Sequence, residues 1–368
     1  MPDPPGSTPD VPGEFSCLSD LEPCAAKRLP PSLWDYVQGG SGEGRTLRAN
    51  REMFQRATLR PTALAGLRQI DLTTKLLGAP VRLPIFLAPT AYQGLIHPEG
   101  EPATARAAQR AGILAVFSTL SSFSLEDIAR ASADGRRWFQ LYLQPEFART
   151  RLLVERAERA GYTAIVLTVD APVLGIRDGQ LRSGFAMDAL TPVGNGPGLI
   201  PPSRGPTPAG DIWQLRSDSQ ADWSIVAELR RITPLPIVIK GVLTAGDARR
   251  AVEAGAVAIV VSNHGGRQLD GVPATLSVLP EILRAVEGRA EVYLDGGVRR
   301  GSDVVIALAL GARAVGIGRP VLWALAAGGQ AGVERWLSLL ASDLATAMLL
   351  TGCGDLSQLD PSMVDAPR

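Results

Sequence analysis

Eight short apolar segments alternate with helix-forming stretches along this chain, and this repeat restricts the possible folds more than any other feature. Most of the intervening stretches are rich in Ala, Arg, Glu and Leu at helical spacing and close with a Gly that suits a left-handed helix C-cap. Eight βα units favour an α/β fold, a (β/α)8 TIM barrel, over an open doubly wound sheet, which stays the minority alternative. The apolar segments lie at residues 82–90, 112–119, 137–143, 164–170, 236–242, 258–264, 292–297 and 314–320.

Polar side chains gather where these apolar segments end. In a TIM barrel the carboxyl ends of the strands meet at one face, where the functional site forms. Polar residues that merely terminate strands would be Ser, Asn, Gly and Asp, whereas this set also contains Lys, His, Arg and Gln. The residues at the predicted mouth are Thr90, Ala91, Ser118, Gln140, Tyr142, Thr168, Asp170, Lys240, His264, Arg267, Asp295, Gly297, Gly318 and Arg319.

The remaining segments are predicted to be accessory to a single barrel domain over 26–357. The proline-rich residues 1–25 are expected to be disordered, and residues 26–80 to form an N-terminal helical extension that packs under or beside the barrel. Residues 190–222 follow the fourth strand and are too long for an ordinary connection, so we expect a lid loop on the catalytic face. Residues 358–368 form a C-terminal tail.

Composition narrows the possible partners to small molecules. Lys plus Arg and Asp plus Glu both number 37, so no charge excess favours nucleic acid or an anionic membrane. The three cysteines form neither a disulfide framework nor a metal-ligand spacing, and no metal is expected. No apolar stretch is long enough to span a bilayer or act as a signal peptide. We therefore expect a soluble cytoplasmic protein with reduced thiols.

Two glycine-containing loops indicate where a phosphate would bind. The segment VGNGPG at 193–198 resembles a dinucleotide loop, but it neither follows a strand nor opens a helix. Residues 294–303 and 316–321 instead follow the seventh and eighth strands, where TIM barrels commonly hold a phosphate at a helix N-terminus. One phosphate site, together with Arg299 or Arg319, predicts a mononucleotide cofactor.

The motifs at the strand ends resemble those of the FMN-dependent 2-hydroxy-acid oxidases and dehydrogenases, a family that includes glycolate oxidase, lactate oxidase and mandelate dehydrogenase. The resemblance covers about residues 29–357. SNHGGRQLD at 262–270 is the most specific motif. The others, in chain order, are WDYVQGGSGEGRTLRAN, APTAYQGLIHPEGEPA, FQLYL, LTVDAPVLGIRD, PIVIKGV, YLDGGVRRGSDVVIALALGA and IGRP.

The resemblance implies FMN as the cofactor and assigns residues to it. Lys240, one of only three lysines in the chain, would neutralise the negative charge of the reduced flavin ring, a role that a compact ammonium fills differently from a guanidinium. The residues implied around the ring are Thr90, Ala91, Ser118, Gln140, Thr168 and Lys240. Those implied at the ribityl chain and phosphate are Asp295, Gly297, Arg299, Gly318 and Arg319.

The same motifs carry groups suited to a 2-hydroxy acid. The guanidinium fork matches a carboxylate bidentately, so Arg177 and Arg267 are the natural clamps. The resemblance assigns carboxylate binding to both and adds the hydroxyls of Tyr36 and Tyr142. It makes His264 the general base, taking either the α-proton or the hydroxyl proton. Asp170 would pair with the imidazolium and raise its proton affinity.

Departures from the family pattern bear on substrate and electron acceptor. Leu120 stands where enzymes acting on small acids such as glycolate often have Trp, so the pocket is expected to accept aryl or longer aliphatic acids, such as mandelate-like ones. Ala91 is more typical of oxidases than of monooxygenases. An oxidase that passes electrons to oxygen is therefore the leading hypothesis. A dehydrogenase using a quinone or a protein acceptor and a non-catalytic flavin-binding barrel remain alternatives. The resemblance also implies a homo-oligomer, a tetramer.

Overall fold

A computed structural model describes residues 15–185, 193–196 and 221–366 of the chain. Its centre is a closed barrel of eight parallel strands, which confirms the predicted TIM barrel. The strands before the barrel are β1 (Thr58–Leu59), β2 (Thr74–Leu76) and β3 (Ala79–Val81). The barrel strands are β4 (Ile85–Leu87), β5 (Leu114–Ser118), β6 (Arg136–Leu141), β7 (Ile165–Thr168), β8 (Ile237–Val242), β9 (Ala258–Val261), β10 (Glu291–Asp295) and β11 (Ala314–Ile317), and β12 (Val364–Asp365) follows.

Helices surround the barrel and cover its strands on the outside. The first three precede the barrel: α1 (Leu21–Arg28), α2 (Pro31–Gln38) and α3 (Arg45–Arg56). Those that follow are α4 (Gln93–Ile96), α5 (Gly100–Ala111), α6 (Leu125–Ala131), α7 (Phe147–Arg159), α8 (Asp178–Ser183), α9 (Ser224–Ile232), α10 (Ala245–Glu253), α11 (Thr275–Val286), α12 (Gly301–Ala309) and α13 (Arg319–Thr351). Helix α13 is kinked at Gly328 and Gly329. Among the described residues, no helix is long and apolar enough to cross a membrane.

The barrel interior is filled with side chains, so the site must lie at its mouth. Phe86, Trp138 and Tyr293 meet inside, with ring centroids 5.7 Å apart between Phe86 and Tyr293 and 5.8 Å apart between Trp138 and Tyr293. The other faces of the strands pack against the helices in a second apolar layer. Burial on both faces explains why the strands are continuous apolar runs and not alternating ones.

Glycine at position 241 brings two strand ends close together. The pairing of β8 with β9 shifts register between Lys240 and Val242, and Gly241 has a φ of +111°. A Cβ atom there would lie 2.6 Å from Cβ of Asp170. Only glycine tolerates both the backbone angle and this contact, so Gly241 allows Asp170 to lie against the end of β8.

The accessory segment is more ordered at its start than its composition predicts. Helix α1 begins inside the stretch 1–25, for which the composition predicts disorder, and Leu21 and Ala25 on this helix are fully buried. Phe15 is also buried, and the guanidinium of Arg335 lies 5.7 Å from its ring centroid. The expectation of disorder is therefore wrong for residues 15–25, because their apolar side chains pack into the core. Residues 1–14 lie outside the described part of the chain.

The other accessory segments lie at opposite ends of the barrel. The β2–β3 hairpin places Leu76 and Val81 against the core inside the barrel, whereas α2 and α3 lie near the mouth. The C-terminal tail returns as β12, which pairs antiparallel with β1. Most of the expected lid at 190–222 lies outside the described residues.

Candidate active site

His264 lies just beyond β9 in a left-handed backbone conformation, with a φ of +59°. Few residues other than glycine adopt this conformation, and it is a recurrent sign of a functional position. The imidazole Nδ1 lies 2.8 Å from Oδ1 of Asp170, and Nε2 lies 3.3 Å from the hydroxyl of Tyr142. A carboxylate on Nδ1 fixes the ring and leaves Nε2 directed at the mouth as a proton acceptor.

The environment of His264 keeps the imidazole neutral. Burial lowers its pKa, and the nearby cations Lys240 and Arg177 lower it further, against the raising effect of Asp170. Asp170 therefore acts in the direction expected from the sequence, but its effect is smaller than that of burial, so the net shift is downward. For Asp170, burial raises the pKa, but attraction to Lys240 and the hydrogen bond with His264 outweigh it, so the pKa is lowered. The pair is thus a carboxylate beside a neutral base.

Lys240 is a buried cation at the end of β8. Its ammonium donates a hydrogen bond to Oγ of Ser262 at 2.9 Å and lies 3.5 Å from Oδ2 of Asp295. Burial lowers its pKa, but attraction to Asp295 and Asp170 outweighs this and the pKa is raised. Ser262 also accepts a hydrogen bond from the backbone N–H of His264 at 3.1 Å. One serine therefore joins the lysine to the histidine loop, a link that the sequence alone did not indicate.

Two arginines and a tyrosine form the proposed carboxylate clamp. The Arg267 guanidinium donates to the backbone carbonyl of Gly39 at 2.7 Å and lies 5.2 Å from the ring centroid of Tyr36. Arg177 lies 5.9 Å from the same ring. Burial and the charge of Arg177 lower the pKa of Arg267 to about 9. Because guanidinium groups remain protonated in proteins, these two half-buried charges favour an anionic ligand.

A hydrogen-bonded polar layer covers the ends of β5, β6 and β7. The side-chain oxygen of Gln140 accepts from Oγ of Ser118 at 2.9 Å, and its amide donates to Oγ1 of Thr168 at 3.0 Å. Thr90 accepts a hydrogen bond from Gln93 at 3.0 Å, and Ala91 lies next to it. The structure therefore joins Ser118, Gln140 and Thr168, three of the residues that the resemblance places around a flavin ring.

Two more arginines lie after β10 and β11. Arg319 donates to the carbonyls of Val37, Gly265 and Gly39 at 3.0–3.1 Å. Burial lowers its pKa well below the usual range, and burial likewise lowers the pKa of Arg299 to about 10. Neither arginine pairs with a carboxylate among the described residues. Both lie where the sequence predicts a phosphate site.

The glycines of these loops have different reasons to be glycine. Gly297 has a φ of +92°, and a Cβ atom there would lie 2.4 Å from the carbonyl oxygen of Asn50 on α3. Its identity is therefore explained by packing against α3. A Cβ atom on Gly318 would meet nothing closer than 3.7 Å, so the space beside Gly318 is open.

These features fit FMN. Oδ1 of Asp295 is buried with no hydrogen-bond partner among the described residues, so it can accept a bond from a ribityl hydroxyl. The open space beside Gly318 and the unpaired charges of Arg299 and Arg319 suit the phosphate. Lys240 supplies a protonated ammonium at the end of the barrel where the ring would lie.

Leu120 and Tyr92 lie next to each other, and sequence reasoning identified only Leu120. Both are buried, and the backbone N–H of Tyr92 donates to the carbonyl of Leu120 at 3.0 Å. Tyr92 has a φ of +55°, and its pKa is raised by burial and by the nearby Tyr36. No local signal in the sequence marks Tyr92, which precedes the helix Gln93–Ile96.

Comparisons with known proteins show the family of the chain. Residues 25–366 match the family described as FMN-dependent dehydrogenase. The chain is 49% identical to an L-lactate oxidase of a Nostoc species, over 94% of this chain and 97% of the relative. It is 44% identical to glycolate oxidase of Spinacia oleracea, over 96% of each chain. A crystal structure of mandelate oxidase with (S)-4-hydroxymandelic acid superposes with a TM-score of 0.89 at 44% identity, over 96% of this chain and 99% of the other. The chain therefore belongs to the FMN-dependent dehydrogenase family and is an FMN enzyme related to the 2-hydroxy-acid oxidases.

Proposed function

We propose that this protein oxidises an (S)-2-hydroxy acid to the 2-oxo acid and passes the electrons to oxygen, releasing hydrogen peroxide. The observation that carries the proposal is the neutral His264 held by Asp170, three residues before the half-buried Arg267. A base next to a carboxylate receptor is the minimum set that this oxidation needs from the protein. A barrel that only binds flavin has no need for this set.

Each protein group has a defined part in the proposed reaction. Bound FMN supplies the two-electron acceptor. Arg177 and Arg267 hold the substrate carboxylate, which directs the substrate C2 carbon toward His264. Nε2 of His264 accepts a proton, either from C2 or from the substrate hydroxyl, and Asp170 stabilises the imidazolium. Tyr142, 3.3 Å from Nε2, is placed to donate to the substrate oxygen.

Two half-reactions test the activity and its acceptor separately. Purified yellow protein is mixed anaerobically with a panel of 2-hydroxy acids, and loss of flavin absorbance reports substrate oxidation. Absence of bleaching by every acid would support the non-catalytic alternative. Stopped-flow mixing of the reduced protein with oxygen, with peroxide measured, then tests the acceptor. The relatives are named as oxidases, so rapid reoxidation is expected, whereas slow reoxidation with a fast quinone reaction would favour the dehydrogenase.

The substrate is proposed to be larger than glycolate, such as mandelate or a longer aliphatic acid. Leu120 supports this, because a leucine leaves more room than the tryptophan expected in enzymes for small acids. We expect Leu120→Trp to lower kcat/KM for (S)-mandelate by at least tenfold and to change the value for glycolate much less, since one clash in a packed pocket costs about 1–3 kcal/mol. Steady-state kinetics with both acids measure this. An equal loss of kcat/KM for both acids would mean that the substrate side chain does not lie against Leu120.

We also infer a cytoplasmic homotetramer that binds neither nucleic acid nor membrane. The balanced charge supports the absence of an anionic macromolecular partner, and the tetramer rests on family analogy. Sedimentation of a monomer at micromolar concentration would contradict the tetramer.

A further inference from the structure

The indole ring of Trp323 lies beneath one of the two arginines of the proposed phosphate site. Trp323 is on the second turn of α13, and Cζ of Arg299 lies 4.7 Å from its ring centroid. This distance is well inside the range of about 6 Å for a cation–π contact. Trp323 is 2% exposed and Arg299 is partly buried, so solvent screens the contact poorly.

Few other groups hold the Arg299 side chain. Its guanidinium donates one hydrogen bond, to the carbonyl of Val298 at 2.9 Å, and makes no further one within the described residues. The neighbouring carboxylate of Asp303 is already bound by Arg51 at 2.6 Å and by the backbone N–H of Arg299 at 2.7 Å. The aromatic face of Trp323 is therefore the main contact that restricts this cation.

Packing alone does not explain a tryptophan at this position. The indole Nε1 is buried and has no hydrogen-bond partner among the described residues. A buried unpaired N–H is unfavourable, and phenylalanine would fill much of the space without it. Tryptophan does have the strongest cation–π face of the aromatic side chains, and a cation lies over it.

We propose that Trp323 is a positioning residue that fixes the Arg299 guanidinium for the phosphate of FMN. The inference rests on the proposed placement of the phosphate at Arg299 and adds the group that holds Arg299 in place. Trp34, whose ring centroid lies 6.5 Å from that of Trp323, packs beside it. A restricted cation loses less side-chain freedom on binding, so the ring contributes to phosphate affinity without touching the cofactor.

Flavins with and without a phosphate separate this role from a structural one. The full-length chain is freed of flavin, and dissociation constants for FMN and for riboflavin are measured by fluorescence quenching. We expect Trp323→Met to weaken FMN binding by about 10- to 30-fold, the range for a desolvated cation–π contact, and to leave riboflavin binding within about threefold. Equal losses for the two flavins, or no loss for either, would overturn the proposal.

Further variants keep the test interpretable. Trp336 is a fully buried tryptophan on the same helix with no cation over its ring among the described contacts, so Trp336→Met should change both flavins alike. If Trp336→Met also weakened FMN selectively, Trp323 would have no special role. If Trp323→Met does not fold, Trp323→Phe replaces it, with a loss of about threefold expected for FMN alone because phenylalanine binds cations more weakly.

The variant Arg299→Met separates the placement of the phosphate at Arg299 from the positioning role of Trp323. It should reduce the preference for FMN over riboflavin at least as much as Trp323→Met does, and in that background Trp323→Met should add little. An unchanged preference in Arg299→Met would remove the phosphate assignment itself. A lost preference in Arg299→Met with none lost in Trp323→Met would remove only the role of Trp323.

Discussion

His264 is the neutral base proposed for the reaction, and its environment sets the pH at which it can act. We expect His264→Asn to slow anaerobic flavin reduction by about 100- to 10,000-fold, as is typical of a positioned base. Flavin content should stay unchanged, because Lys240 and the phosphate loops are untouched. Stopped-flow reduction at matched flavin occupancy measures this. A variant within about tenfold of the wild type would show that His264 is not the base.

The pH dependence follows from the direction of the His264 shift. Burial lowers the pKa of His264, and the base must be neutral to accept a proton. The acid limb of kcat/KM should therefore lie below the ordinary histidine value of about 6.5. Asp170 opposes the lowering, so Asp170→Asn should move this limb to still lower pH while reducing the rate. A limb above 6.5 in the wild type would contradict the assignment.

Arg267 provides a test of the carboxylate clamp. Lysine keeps the charge but loses the planar fork, so Arg267→Lys should lower the flavin reduction rate by orders of magnitude while FMN stays bound. Arg130→Lys, on the exposed surface of α6, serves as the matched control and should have no effect. An unchanged reduction rate in Arg267→Lys would mean that the carboxylate binds elsewhere.

At the scale of residues, the sequence predicted which residues belong to the site, and the structure showed which of them contact one another. His264 and Asp170 could be paired from their motifs, because both end strands of one barrel. The bridging role of Ser262, the backbone of Tyr92 and the stacking of Arg299 on Trp323 could not be predicted. Each depends on contacts between segments far apart in the chain, which local patterns do not report.

At the scale of elements, the eight barrel strands were predictable because continuous apolar runs with polar ends are typical of parallel strands that are buried on both faces. The two-residue strands β1 and β12 could not be predicted, because they pair across about 300 residues of sequence. The early start of α1 was missed because the proline-rich segment before it dominates the local composition. Helical propensity is a weak guide where tertiary burial decides.

The β2–β3 hairpin tests whether one end of the barrel contributes stability while the other end, the mouth, carries the catalytic site. Leu76 is 1% exposed and packs into the core inside the barrel. We expect Leu76→Ala to lower the free energy of unfolding by about 2–5 kcal/mol and to leave flavin reduction per bound FMN near normal. Denaturant unfolding and stopped-flow kinetics measure the two effects. A large kinetic loss would indicate that this end of the barrel also shapes the site.

For the molecule as a whole, the half-buried arginines at the mouth predict that an anion stabilises the flavin-free fold. Arg177, Arg267, Arg299 and Arg319 converge on the mouth, and burial and mutual repulsion lower the pKa of Arg319 and Arg267. Since these groups stay protonated, the flavin-free protein carries unbalanced charge there. A ligand that binds only the folded state stabilises it by about 2.7 kcal/mol at 100 times its dissociation constant.

Phosphate should therefore stabilise the flavin-free protein and FMN should stabilise it more. We expect inorganic phosphate to raise the Tm by a few degrees, since roughly 2–4 °C per kcal/mol applies to domains of 150–250 residues and somewhat less to a larger one. Chloride at equal ionic strength should not, because it offers no set of oxygens to a guanidinium fork. Arg299→Met should reduce the phosphate effect, whereas Arg130→Met, at an exposed arginine, should leave it unchanged. Thermal unfolding of the full chain in matched salts measures this. Equal stabilisation by chloride and phosphate would show general screening of charge, in which case the arginines do not form a phosphate site.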